Sequence, residues 1–147
     1  MDLTDSITYQ ITKTGNMLRQ LTAKRIKSMG IDVTPEEAVI LNQLWDRDNQ
    51  TITELGQWSV KDASTLTRQV DSLEKKGYVV REHGTDDRRK VFVHLSEDGL
   101  DLRAKFDATN VPQMDNELAD IATDDLAVCL KVILQIRQNA LDEINRK

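Results

Sequence analysis

The stretch from Asp62 to Leu95 narrows the possible folds more than any other part of this 147-residue chain. It reads DASTLTRQVDSLEKKG and then YVVREHGTDDRRKVFVHL. Ala63, Leu66, Val70 and Leu73 recur at steps of three, four and three, which makes one apolar stripe on a helix. Asp62 can cap that helix, and Gly77 can end it in a left-handed conformation. The pattern predicts a helix over 63–76. At roughly 100° per residue its opposite face carries Ser64, Arg68, Asp71 and Lys75. Thr65, Thr67, Gln69 and Ser72 lie nearer the edges. Tyr78–Arg81 and Val91–Leu95 are rich in β-formers and read as antiparallel partners. Between them, His83–Lys90 forms a polar, charged hairpin tip. A helix with an outward polar face followed by a basic hairpin is a shape suited to reading duplex DNA.

The net charge of −5 argues against that reading until its distribution is considered. From Thr53 to Leu95 there are eight Lys/Arg against seven Asp/Glu, and the remainder holds twelve against eighteen. The basic residues of the central third also cluster, as Lys75-Lys76 and Arg88-Arg89-Lys90. With 39% apolar and 31% charged residues the chain can build a helical core. Two prolines and six glycines leave little room for long linkers. The N-terminus MDLTDSITYQ shows no signal peptide, and no apolar run is long enough to span a membrane. Cys129 is the only cysteine, so an intrachain disulfide is excluded and a cytoplasmic location is expected.

Around the central stretch the pattern is helical. Ile7, Ile11, Met17, Leu18, Leu21 and Ile26 predict an amphipathic helix from about Asp5 to Ser28, stopped at Gly30. Thr34-Pro35-Glu36-Glu37 is a helix start with a cap, a proline at the first position and a capping box. Val39, Ile40, Leu44 and Trp45 mark the buried side of that helix, which should end near Asp48-Asn49. An extended piece over Gln50-Thr51-Ile52 leads to Thr53 as a second cap. A short helix from about Glu54 to Ser59 should bury Leu55 and Trp58, and Val60-Lys61-Asp62 makes the turn. After the hairpin, Ser96-Glu97-Asp98 opens a helix with Leu100, Leu102 and Phe106 on its apolar side. Pro112 should kink or interrupt it. A last helix starts at Thr123, with Leu126, Leu130, Ile133, Leu134, Leu141 and Ile144 on its apolar face.

Helix, short strand, short helix, turn, longer helix and two-stranded hairpin is the winged helix-turn-helix order. From Thr34 to about Leu100 the chain resembles the MarR-type bacterial and archaeal transcription regulators. ASTLTRQVDSLEKKGYV resembles their Thr-rich reading-helix start followed by Leu-Glu-x-x-Gly and an apolar strand. DDRRKVFVHLSEDG resembles their Asp-x-Arg wing, alternating Val/Leu and Leu-Ser/Thr-x-x-Gly. Two such motifs at this separation are more specific than a lone helix-turn-helix pattern. The chain departs from the family at Ser59 and Lys61, which stand where apolar residues are usual; Trp58 could take over that packing.

The resemblance implies a mainly α fold with a small β wing, a winged helix-turn-helix core flanked by N- and C-terminal dimerisation helices. It implies an N-terminal dimerisation helix at 1–33, a DNA-binding domain at 34–98 (reading helix 63–76, wing 78–95) and C-terminal dimerisation helices at 99–147. A symmetric homodimer would place the two reading helices in successive major grooves of a roughly palindromic operator. Ser64, Thr65, Thr67 and Arg68 would then meet bases or phosphates. Arg89, held by Asp87, would enter the minor groove, while Arg88 and Lys90 touch phosphates. The implied function is a transcription regulator, a repressor released by a small aromatic or anionic effector. The rival reading is a winged protein-interaction module without DNA-binding activity.

The remaining chemistry-bearing residues carry less. Cys129 sits at helical spacing from Leu126 and Ile133 and reads as a small buried apolar residue. His83 and His94, eleven residues apart, lack metal-ligand spacing and read as solvated or strand-exposed imidazoles. Tyr9, Trp45 and Trp58 read as core aromatics, with an effector pocket as the rival use. Ser96 and Asp98 lack a motif-placed histidine, and neither a Gly-rich phosphate loop nor a His-Glu-x-x-His is present. No enzyme, cofactor or metal is expected.

Overall fold

The structure, a computed structural model, describes residues 2–58, 62–108 and 117–146. The expected end of the short helix at Ser59, the turn at Val60-Lys61 and the interruption at Pro112 lie outside the described residues. The chain divides into two compact units, Met1–Val111 and Pro112–Lys147.

In the first unit a 3-10 turn, Leu3–Asp5, precedes α1 (Ile7–Ser28). Ser6 caps α1, and Gly30 takes the left-handed conformation (φ 74°) that turns the chain away from it. Then follow α2 (Pro35–Asp46), β1 (Gln50–Thr51), α3 (Ile52–Gly56), α4 (Ala63–Lys75), β2 (Val79–His83), β3 (Val91–Leu95) and α5 (Glu97–Ala108). The sheet is antiparallel in the order β1-β3-β2, with Val79 opposite Leu95 and Gln50 opposite Val93. This is the mainly α fold with a small β wing that the sequence implied.

The capping box at Thr34 is complete. Thr34 Oγ1 accepts from Glu37 N, and Glu37 Oε1 accepts from Thr34 N at 2.9 Å. The buried face of α2 is Glu37, Ile40, Leu41 and Leu44. Val39 is out of step with that stripe by roughly 200° and is exposed, contrary to expectation. Leu66, Val70 and Leu73 of α4 are all within 2% of full burial, each contributing about 1.5–3 kcal/mol relative to an exposed side chain. They pack in the core with Leu41, Leu44, Leu55, Val79 and Val93. Ala63, expected in the same stripe, is exposed.

Three further expectations are corrected. The cap of α3 is Thr51, which accepts from Glu54 N, and not Thr53. Because α3 ends at Gly56, Trp58 lies beyond its end and is 71% exposed, whereas Leu55 is buried. On α5, Leu102 and Phe106 are buried but Leu100 is on the opposite face and exposed. Trp45 is half-buried, donates to Gly99 O at 2.9 Å and packs on Phe106 with ring centroids 5.1 Å apart. Of the apolar stripe of α1, only Ile26 is buried; Ile7, Ile11, Met17 and Leu18 are exposed, as is Tyr9.

In the second unit the described element is α6 (Thr123–Asn145), opening with Asp124 and Asp125 in its first turn. Leu130, Leu134, Leu141 and Ile144 are exposed on it. Cys129 is also exposed, not buried as expected, because helical spacing beside leucines buries a side chain only where another element covers that face. Among the described residues no helix is long and apolar enough to cross a membrane.

Candidate nucleic-acid interface

Helix α4 begins at Asp62, whose Oδ1 accepts from Thr65 N at 2.8 Å. That cap leaves the following turn free to project. Ser64, Thr67 and Arg68 are exposed and Thr65 is half-exposed. Thr67 Oγ1 donates back to Ala63 O at 2.9 Å, so its remaining hydrogen-bonding capacity is as an acceptor. Arg68 Nη2 reaches Thr65 Oγ1 at 3.4 Å, a long contact that leaves most of the guanidinium's donors available. The apolar stripe faces inward, so these four predicted residues are brought together on the outer surface of one helix.

The far end of α4 is fastened twice. Lys76 Nζ meets Glu37 Oε1 at 2.9 Å, and Glu37 is 2% exposed. Burial by itself would raise the Glu37 carboxyl, but hydrogen bonds from Lys76, Thr34 and Ser72 outweigh it and hold it below the usual glutamate value. Gly77 (φ 83°) then reverses the chain into β2. Arg81 of β2 turns back to Asp71 and Glu74 of α4.

The hairpin tip is ordered by its own hydrogen bonds. Gly84 N donates to Lys90 O at 2.9 Å, and Lys90 N donates to Asp87 O at 3.1 Å. A side chain at Gly84 would put its Cβ 2.6 Å from Asp87 O, so the turn needs glycine there. His83 is exposed, and its Nδ1 lies 2.8 Å from Arg88 O, which can only accept. His94, half-buried on β3, lies 3.2 Å from Glu82 Oε1 through Nε2.

At the tip, Arg89 is 93% exposed but not loose. Its Nε donates to Asp87 Oδ1 at 3.1 Å, its Nη2 to Oδ2 at 3.4 Å, and its backbone N to Oδ1 at 3.0 Å. The Arg89 side-chain hydrogen bond, with the backbone one, lowers the Asp87 carboxyl below its usual value. The contact expected between Asp87 and Arg89 is therefore present. Arg88 and Lys90 are exposed beside them.

Sequence reasoning missed two features of this surface. Thr51, Ile52, Thr53 and Glu54 line a groove with Arg89, Lys90 and Val91, so the returning side of the wing faces the start of α3. The link from Arg81 to Asp71 and Glu74 spans a chain reversal, and no local spacing rule signals it. The surface as a whole offers arginine and lysine donors and hydroxyls, the chemistry of phosphate and base-edge contact. Among the described residues no cluster of His, Cys, Asp or Glu could hold a metal ion.

Comparisons with known proteins agree in one direction. The model of the MarR family matches residues 33–91. The HTH-type transcriptional regulator SarZ of Staphylococcus saprophyticus is 33% identical over 105 residues, 71% of this chain and 69% of that protein. A mutant MarR from E. coli, solved in complex with operator DNA, superposes with a TM-score of 0.81 at 21% identity, covering 92% of this chain and 99% of that one. The PcaV transcriptional regulator from Streptomyces coelicolor, solved in complex with its natural ligand, gives 0.78 at 21% identity, covering 95% and 97%. At that identity the two structures establish likeness of fold.

Proposed function

This chain belongs to the MarR family, and on that premise we propose that it is a homodimeric repressor that binds a roughly palindromic DNA operator. It is a transcription regulator and not an enzyme. Residues 34–98 form the DNA-binding domain. Residues 1–33 and 99–147 supply the dimerisation helices, which is why α1 and α6 each carry exposed apolar side chains. The two reading helices then lie about one DNA turn apart in successive major grooves.

Ser64, Thr65, Thr67 and Arg68 meet bases and phosphates there. Arg89 enters the minor groove, Asp87 orients it, and Arg88 and Lys90 hold phosphates. The observation that carries the reading is the Asp87-braced, solvent-directed guanidinium of Arg89 on the same unit as the exposed polar face of α4. A small aromatic or anionic effector releases the operator by favouring a different spacing of the two winged cores. The ligand in the PcaV structure supports that part. The protein works in the cytoplasm.

Duplex titrations across a salt series test the proposal. A duplex selected from a random-sequence pool should bind with an affinity that falls steeply as salt rises. At fixed salt, Arg89→Ala should weaken binding by about 1–3 kcal/mol while sedimentation and circular dichroism stay unchanged. Absence of salt-dependent duplex binding would favour the protein-interaction module instead.

A further inference from the structure

We infer that Arg81 is a positioning residue that locks the wing to the reading helix, so that the two DNA-contacting parts meet the duplex as one rigid unit. The inference rests on the DNA-binding reading above and concerns a residue to which that reading gives no DNA contact. Arg81 stands in the middle of β2, and its side chain is 28% exposed. Its Nη2 lies 2.5 Å from Asp71 Oδ1 and 3.0 Å from Glu74 Oε1. Its backbone N donates to the other Glu74 oxygen, Oε2, at 3.2 Å. Asp71 and Glu74 are three apart on α4 and so present their carboxylates side by side. One guanidinium nitrogen, Nη2, reaches both, and Glu74 holds side chain and backbone of Arg81 together.

The arrangement answers a mechanical need. Covalently, α4 and β2 are joined only by Lys76, Gly77 and Tyr78, and Gly77 is the residue type most tolerant of rotation. Backbone bonds from Gly77 N to Glu74 O and from Tyr78 N to Leu73 O close the turn locally. They do not reach the strand beyond it. Arg81 does, four residues past Gly77, and β2 passes the restraint across the hairpin to Arg89 through β3. Partly exposed ion pairs add little to fold stability. Their geometry still matters here, because a site made of two separate contacts works only when both are held in register.

Charge gives the same conclusion by another route. Asp71 shares the outer face of α4 with Ser64 and Arg68. A bare carboxylate there would repel phosphates, and Arg81 neutralises it.

A double-mutant cycle tests this, using a fluorescent duplex that the unaltered protein selects from a random-sequence pool. Arg81→Met should weaken binding about tenfold in the unaltered background and by a several-fold smaller factor in the Arg89→Ala background, where only the uncovered carboxylates still act, since a misplaced wing matters only while Arg89 can be misplaced. Asp71→Asn combined with Glu74→Gln breaks the clamp from the helix side and leaves the strand intact. It should also weaken binding in an Arg89-dependent way, although removal of two negative charges would by itself tighten it. Arg81→Lys, which keeps the charge on a shorter side chain, should fall between the unaltered protein and Arg81→Met. Equal losses with and without Arg89, or tighter binding by the Asp71→Asn/Glu74→Gln protein, would overturn the inference while the DNA-binding reading stands. Failure of the unaltered protein to select any duplex would overturn both.

Discussion

Glu37 holds two jobs with one carboxylate. It completes the capping box of α2, it meets Lys76 at the end of α4, and it does both while almost wholly out of solvent. Its Oε1 takes the Thr34 amide and the Lys76 ammonium together. Removing the charge leaves Lys76, which is 23% exposed, without its partner. Glu37→Gln should therefore cost about 1–3 kcal/mol in urea unfolding, less than a fully buried pair because Lys76 can reach water. The folded carboxyl is held below the ordinary glutamate value of 4.5. Its contribution is complete at neutral pH and is lost as the pH falls below that value through the lower folded one. The unaltered protein should thus lose stability into acid, and the Glu37→Gln protein should show a shallower acid slope in the same titration.

At the scale of elements, the junction of α4, β2 and α5 leaves no room for a side chain at Gly99. Tyr78 O accepts from Ser96 N at 3.0 Å, and Ser96 Oγ donates to Gly77 O and accepts from Gly99 N. A Cβ at Gly99 would lie 2.1 Å from Tyr78 O, a backbone atom that cannot rotate away. Gly99→Ala should destabilise by about 1–3 kcal/mol, seen as a lower urea midpoint with an unchanged slope. Elements with their own punctuation were legible in the sequence. Thr34-Pro35-x-Glu37, Asp62 and Gly77 state where helices start and stop through local hydrogen bonds and φ, and Val91–Leu95 matched its strand at both ends. Errors arose where a residue's fate depended on what lies across from it. Val39 and Leu100 are as apolar as their buried neighbours but sit half a turn away from them, and Trp58 fell outside a helix that ended early. Arg81 gave no sign at all, since its partners are seven and ten positions back across a reversal.

For the whole molecule, exposed side chains on α1 and α6 are the largest account left open by a single chain. Ile7 is 64% exposed and Ile144 77%, values a monomer in water does not gain from. A homodimer should appear in sedimentation at twice the 16.7 kDa chain mass, with an unfolding midpoint that rises with protein concentration. A stable monomer would remove the basis for two reading helices one turn apart. The sheet order has a different bearing on how such molecules coexist at high concentration. With β3 in the middle and β1 on one side, β2 has an edge that no strand of this sheet covers. Such an edge can pair with the same edge of another molecule and seed a growing ladder. Here the amide of Arg81 is already taken by Glu74, and Arg81, Glu82 and His83 put polar or charged side chains along the strand. The bond that squares the wing to its helix also withholds a docking point from a stray strand, and so works against one sheet edge pairing with another.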